Sequence, residues 1–149
     1  MIEKCKTKPS DYFTELIKLA FTARKEAYAP YSDFMVGAAL LTREGDVFTG
    51  CNIENAAFSP TNCAERTAFF KAVSEGRRHF SAIAVVGGKR GTKEEGFDHL
   101  FPCGICRQVM AEFCDEDFEI VTAKDPADYR ITLLKDLLPN SFGPGNLSK

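Results

Sequence analysis

A chain of 149 residues with 44% hydrophobic and 27% charged side chains carries enough apolar material for one buried core without disulfide help. Its 19 basic and 21 acidic residues leave a net charge of −2, which gives no general attraction to phosphate backbones or anionic membranes. Nucleic acid and membrane surfaces are therefore not expected partners, and the composition excludes collagen-like, mucin-like and disordered chains.

Met1 to Lys8 lacks the apolar stretch of a signal peptide, and the run Ala82 to Val86 is too short to cross a bilayer, so a cytoplasmic location is expected. Ser10 or Asp11 is placed to cap a first helix whose apolar stripe is Phe13, Leu16, Ile17, Ala20 and Phe21. Ala29-Pro30 should end it, because proline pushes the preceding residue out of the helical region. Val36 to Leu41 and Val47 to Ile53, with Arg43-Glu44-Gly45-Asp46 between them, read as a β-hairpin. Asn62 is a plausible cap for a second helix with Ala64, Ala68, Phe69, Ala72 and Val73 inward, stopped by Gly76.

Phe80 to Val86 reads as a buried strand, and Gly87 to Asp98 as a charged loop. Pro102 opens a third helix at its favoured first-turn position, with Ile105, Val109, Met110 and Phe113 inward. Phe118 to Ala123 and Tyr129 to Thr132 read as further strands, Leu133 to Leu138 as a short last helix, and the rest as a tail rich in glycine and proline. Strands alternating with helices argue for α/β layers on a mixed sheet. Neither a repeat nor a linker divides the chain, so residues 1–149 are expected to form a single domain.

The six cysteines stand at 5, 51, 63, 103, 106 and 114. In a reducing compartment, closely spaced cysteines are more often metal ligands or catalytic groups than disulfides. Cys63-Ala64-Glu65 starts the second helix and Pro102-Cys103-Gly104-Ile105-Cys106 the third. In a layered fold two such helix starts can converge at one sheet edge, and a helix N-terminus favours a thiolate. Zinc prefers four tetrahedral ligands, so three sulfurs leave one position for water, the arrangement of a catalytic site. Glu65 would hang beside that position without binding the metal. Three thiolates also leave the zinc and its ligands with a net charge of about −1. Arg66, one turn on from Cys63, is the candidate to offset it by hydrogen-bonding the sulfurs.

Plainer readings compete. Cys103-x-x-Cys106 alone would suit a redox pair, but that leaves Cys63 and Glu65 without a role. A closed structural zinc could recruit Cys51, Cys114, His79 or His99, but no second Cys-x-x-Cys is present. Asn52 and Glu54, two apart, point the same way from a strand end and could be merely exposed polar groups. Phe34 could belong to the core, and Phe142 could hook the tail onto its own domain.

Several long motifs stand in order: Tyr31-Ser32-Asp33-Phe34-Met35-Val36-Gly37-Ala38-Ala39, Gly50-Cys51-Asn52-Ile53-Glu54-Asn55-Ala56, Cys63-Ala64-Glu65-Arg66-Thr67-Ala68, Pro102-Cys103-Gly104-Ile105-Cys106-Arg107-Gln108 and Leu138-Pro139-Asn140-Ser141-Phe142-Gly143. With them the chain resembles the small homotetrameric, zinc-dependent cytidine deaminases along nearly its whole length. Cys-x-Glu followed by Pro-Cys-x-x-Cys is also the zinc deaminase signature.

The resemblance implies a three-layer α/β/α fold with a mixed, about five-stranded sheet. It implies one Zn2+ per subunit on Cys63, Cys103 and Cys106, proton transfer by Glu65, and a place for Arg66 beside the thiolates. The substrate side would be Phe34, Asn52, Glu54, Ala64 and Phe142, with Asn52 and Glu54 on the ribose 3′-hydroxyl. Phe142, in a tail of residues 139–149, would reach a neighbouring subunit's site within a homotetramer.

The implied reaction is hydrolysis of free cytidine and deoxycytidine to uridine and deoxyuridine plus ammonia, in pyrimidine salvage. Met35 stands where the family often has proline and Phe58 where many members have tyrosine. A blasticidin-type nucleoside-antibiotic deaminase and a non-catalytic zinc-binding module are the alternatives. A polynucleotide deaminase would need basic residues interleaved with aromatics, whereas Lys89, Arg90 and Lys93 are followed at once by Glu94 and Glu95.

Overall fold

The computed structural model describes residues 3–4 and 12–148. In chain order the elements are β1 (Glu3–Lys4), α1 (Tyr12–Arg24), β2 (Phe34–Thr42), β3 (Asp46–Cys51), α2 (Ala64–Ser74), β4 (Phe80–Lys89), α3 (Gly104–Phe113), β5 (Glu119–Ala123), β6 (Tyr129–Leu133) and α4 (Leu134–Leu137). The strands form one sheet in the order β1-β3-β2-β4-β5-β6. All neighbours are antiparallel except β4 and β5, which run parallel. The five expected strands are therefore joined by a two-residue edge strand pairing Glu3 with Val47.

Alternation along the strands builds two cores. On one face Ala39, Leu41, Ala82, Ala84, Val86 and Val121 pack against Leu16, Ile17 and Ala20 of α1. On the other, Ala38, Leu40, Phe48, Ile83, Val85 and Ile120 meet α2, α3 and α4 through Ala68, Phe69, Ala72, Met110 and Leu134. This is a three-layer α/β/α arrangement. Fully burying a side chain such as Leu16 or Phe69 stabilises by roughly 1.5–3 kcal/mol, and Phe69 also stands edge-on to Phe80 with ring centroids 5.0 Å apart.

Two glycines set how close the helices come. A Cβ at Gly37 would lie 2.0 Å from the Ala20 carbonyl oxygen of α1. One at Gly50 would lie 2.5 Å from the Ala64 carbonyl and 2.6 Å from the Ala68 amide nitrogen. Only a bare backbone lets α2 begin directly on β3.

Several expected boundaries shift. α1 ends at Arg24, well before Ala29-Pro30. The Arg24 guanidinium instead donates to the carbonyls of Met35, Gly88 and Lys89. Tyr28 is drawn into extended pairing with Asn52 and Glu54. The second helix is capped by Cys63 rather than Asn62, whose amide donates to Thr67 Oγ1. Cys103 caps α3, so Pro102 stands one residue before the cap and not within the first turn. Ile105 is not on the inner face: it is 62% exposed, because Cys106 and Met110 take the buried side of α3. β4 runs on to Lys89, pairing Gly87 and Gly88 with Val36 and Met35. Ser10, Asp11 and Cys5 lie outside the described residues. Among the described residues no helix is long and apolar enough to cross a membrane.

Candidate active site

β3 and β4 each lie antiparallel to β2, which runs between them, so they point the same way. α2 follows β3 and α3 follows β4. Both helix N-termini therefore arrive at the same edge of the sheet. Cys63 and Cys103 are the two N-caps, with extended backbone and no hydrogen bond from the side chain to the helix. Their thiols are left free to face each other. Cys106, three residues into α3, is fully buried beneath them.

The three sulfurs lie within 4.8 Å of one another, with Cys63 Sγ and Cys103 Sγ 3.8 Å apart. Two sulfurs at ~2.3 Å from one tetrahedral zinc are separated by about 3.8 Å, so the cluster has the spacing that zinc requires. Among the described residues no fourth cysteine, histidine or carboxylate joins the group. Cys51, Cys114, His79 and His99 lie elsewhere, and burial raises the thiol pKa of both Cys51 and Cys114. That is the donor set of an open site and not of a closed structural one.

The electrostatics agree with a cation. A hydrogen bond from the Cys106 thiol, with further donation from Arg66, favours the Cys63 thiolate and holds its pKa well below the usual thiol value. The shared proton pushes Cys106 upward in return. A metal ion would replace that proton. Arg66 Nη2 reaches Cys63 Sγ at 3.4 Å and the Thr61 carbonyl at 3.5 Å, and its buried Nε has no partner among the described residues.

Glu65 is 4% exposed on the otherwise apolar inner face of α2. Burial lifts its carboxyl to about 7. A carboxyl poised near neutrality beside a metal-ready cluster is suited to accept and return a proton.

These groups open into a cavity of about 580 Å3. Cys63, Ala64, Glu65 and Cys103 form its floor, and Phe34, Asn52 and Glu54 line its sides. Sequence reasoning did not assign Tyr31, Ser32, Thr61, Asn62, Leu100 and Phe101 to this cavity. Nothing in their types marks them, because they come from loops that only the fold brings together. Phe58, 72% exposed with a left-handed φ of 54°, stands edge-on to Tyr31 at 6.2 Å.

Asn52 and Glu54 share the cavity side, but each already serves the chain. Asn52 Oδ1 accepts from the Val36 N–H, and Nδ2 donates to the Phe34 carbonyl, both at 2.8 Å. Glu54 accepts from the N–H groups of Tyr31 and Ser32 and from the Ser32 hydroxyl. Those bonds, the Ser32 hydroxyl foremost, hold its carboxyl below the usual range.

Phe142 is not brought into this cavity. It is 59% exposed beside Gln108, whose Nε2 donates to the Phe142 carbonyl at 2.8 Å. Arg107, present in the Pro102 to Gln108 motif but given no role there, ties the Pro102 carbonyl to the Leu137 carbonyl at 2.7 Å each and so fixes the approach to Cys103.

Residues 12–122 match the family described as "Cytidine and deoxycytidylate deaminase zinc-binding region". The cytidine deaminase of Sporosarcina psychrophila is 49% identical over 134 residues, covering 90% of this chain and 93% of that protein. That of Halalkalibacterium halodurans is 52% identical over 127 residues, 85% and 91% of the two chains. The crystal structure of the cytidine deaminase from Burkholderia pseudomallei superposes with a TM-score of 0.76 at 50% identity, over 86% of this chain and 97% of that one.

Proposed function

Since this chain belongs to the zinc-dependent cytidine deaminase family, we propose that Cys63, Cys103 and Cys106 hold its zinc and that Glu65 carries its protons. The enzyme hydrolyses cytidine to uridine and ammonia. The observation that carries the site assignment is the 3.8 Å sulfur pair on the floor of a nucleoside-sized cavity beside a buried carboxyl.

A zinc ion on the three sulfurs supplies a Lewis acid that lowers the pKa of water toward neutrality. Glu65 would take a proton from the attacking water as the water oxygen bonds to C4 of the base. The same carboxyl gives the proton to N3. Glu65 then takes the second proton from the new C4 hydroxyl and passes it to the exocyclic nitrogen, so that the C4 carbonyl forms as the C4–N bond breaks and ammonia leaves. Ala64 and Phe34 form the walls against the base. Asn52 and Glu54 face the ribose 3′-hydroxyl with the acceptor and donor capacity their loop contacts leave free. Arg66 draws charge off Cys63.

Deoxycytidine is the second proposed substrate, and salvage in the cytoplasm is the proposed setting. Residues 1–149 act as one domain in a homotetramer, with the 139–149 tail delivering Phe142 to a neighbouring subunit. The exposed Phe142 ring, held at Gln108 outside its own cavity, supports that reading.

The test offers cytidine, deoxycytidine, cytidine monophosphate and blasticidin S in parallel and measures ammonia release and zinc content. Turnover of both nucleosides with one zinc per subunit is expected. Turnover of the monophosphate or the antibiotic alone overturns the substrate reading. Mixed tetramers of Glu65→Gln and Phe142→Ala subunits should exceed both parents if the site is shared, and no rescue returns Phe142 to its own domain.

A further inference from the structure

Three residues of the segment from Tyr31 to Phe34 (Tyr31, Ser32 and Phe34) line the cavity, and side chains hold the segment in place. The Glu54 carboxylate accepts from the Tyr31 N–H at 3.1 Å, from the Ser32 N–H at 3.2 Å and 3.3 Å to its two oxygens, and from the Ser32 hydroxyl. Ser32 Oγ in turn accepts from the Phe34 N–H at 3.0 Å. Between them Asp33 takes a left-handed φ of 58°, which a non-glycine residue keeps only where its surroundings hold it. Arg90 holds it from outside, with Nε on Asp33 Oδ1 at 2.7 Å and its N–H on the Asp33 carbonyl at 2.8 Å.

A serine hydroxyl has one proton to give, and here Glu54 receives it. Ser32 therefore has no proton left for a bound sugar and acts on it only through the carboxylate. A carboxylate has about four acceptor positions, and the loop fills most of them, so the direction of the remaining one is fixed.

We propose that Ser32 is a positioning residue for the sugar end of the nucleoside, locking Glu54 so that its free lone pair meets the 3′-hydroxyl. This rests on the reading of Glu54 as the 3′-hydroxyl acceptor. The sugar lies away from the reacting C4, so the contact strengthens ground state and transition state alike. Its loss raises KM and leaves kcat nearly unchanged.

The experiment measures kcat and KM of the zinc-loaded enzyme on cytidine and on 3′-deoxycytidine, for wild type, Ser32→Ala, Ser32→Thr and Glu54→Gln. Ser32→Ala should raise KM for cytidine about tenfold, the scale of one hydrogen bond to a charged acceptor. The penalty on 3′-deoxycytidine should be several-fold smaller, and Ser32→Thr should restore the wild-type preference. Equal penalties on the two substrates would show a merely structural loop and overturn the proposal. Loss of the 3′-hydroxyl preference in Glu54→Gln but not in Ser32→Ala overturns the role of Ser32 alone. A wild-type preference in Glu54→Gln overturns the reading of Glu54 and this proposal with it. If Ser32→Ala does not fold, Ser32→Val against Ser32→Thr makes the same comparison in side chains of equal shape.

Discussion

Adding one methyl group at Gly50 should damage the metal site without touching a ligand. The new Cβ would stand 2.5 Å from the Ala64 carbonyl oxygen and 2.6 Å from the Ala68 amide nitrogen. Both are backbone atoms of the first turns of α2, so no side chain can swing aside. Restoring an ordinary ~3.4 Å contact requires α2 to retreat by about 0.9 Å. Overpacking of this kind costs about 1–3 kcal/mol, or about 2–12 °C in melting temperature for a domain of this size.

The retreat carries Cys63 and Glu65 with it, while Cys103 and Cys106 stay on α3. A misplacement of about 1 Å near a reacting centre can cost about 100-fold in rate. Gly104→Ala is the control: Gly104 opens α3 beside Cys103, but among the described residues nothing lies within 4 Å of its added Cβ. It should be neutral, or stabilise by about 0.4–1 kcal/mol through the unfolded state. The assay pairs thermal melting and zinc content with kcat/KM. If Gly50→Ala melts and turns over within a factor of two of Gly104→Ala, the close approach of α2 to β3 does not set the site geometry.

Glu65→Gln should keep zinc by metal analysis and lose about 10²–10⁴-fold in turnover, the range of a general acid–base group; retention of a tenth of wild-type rate removes Glu65 from that role. Burial raises the folded carboxyl to about 7. In metal-stripped protein its contribution to stability is therefore complete at low pH and fades as pH rises from the ordinary carboxyl range through about 7. Denaturant unfolding of chelator-treated wild type relative to Glu65→Gln should show that decline, and a flat difference contradicts it. Cys103→Ala should lose zinc and, through the coupling of metal binding to folding, stability as well; full zinc occupancy contradicts its role as a ligand. Arg66→Gln should retain zinc, lower kcat and move the acidic limb of the pH profile to higher pH, because Cys63 keeps more negative charge; an unshifted profile with unchanged kcat makes Arg66 structural.

What was legible in the sequence was local or carried in motif order. Helical spacing marked Leu16, Ile17 and Ala20 as one face, and alternation marked the hairpin, because both signals are written within a few residues. The Cys63, Glu65, Cys103 and Cys106 pattern pointed to a metal and a proton carrier from residue type and spacing. Boundaries failed where a distant partner intervened. Arg24 ends α1 by turning to carbonyls on β2 and β4, and Cys63 displaces Asn62 as the cap of α2. The meeting of two cysteines 40 positions apart was decided by topology, because β3 and β4 point the same way on either side of β2 and deliver both helix starts to one edge. The burial of Glu65 was decided by the packing of α2 on the sheet at Gly50, and that burial moves its carboxyl toward neutrality. Spacing along a chain names the chemical groups; the desolvation and the distances that make them reactive exist only once remote backbone segments close around them.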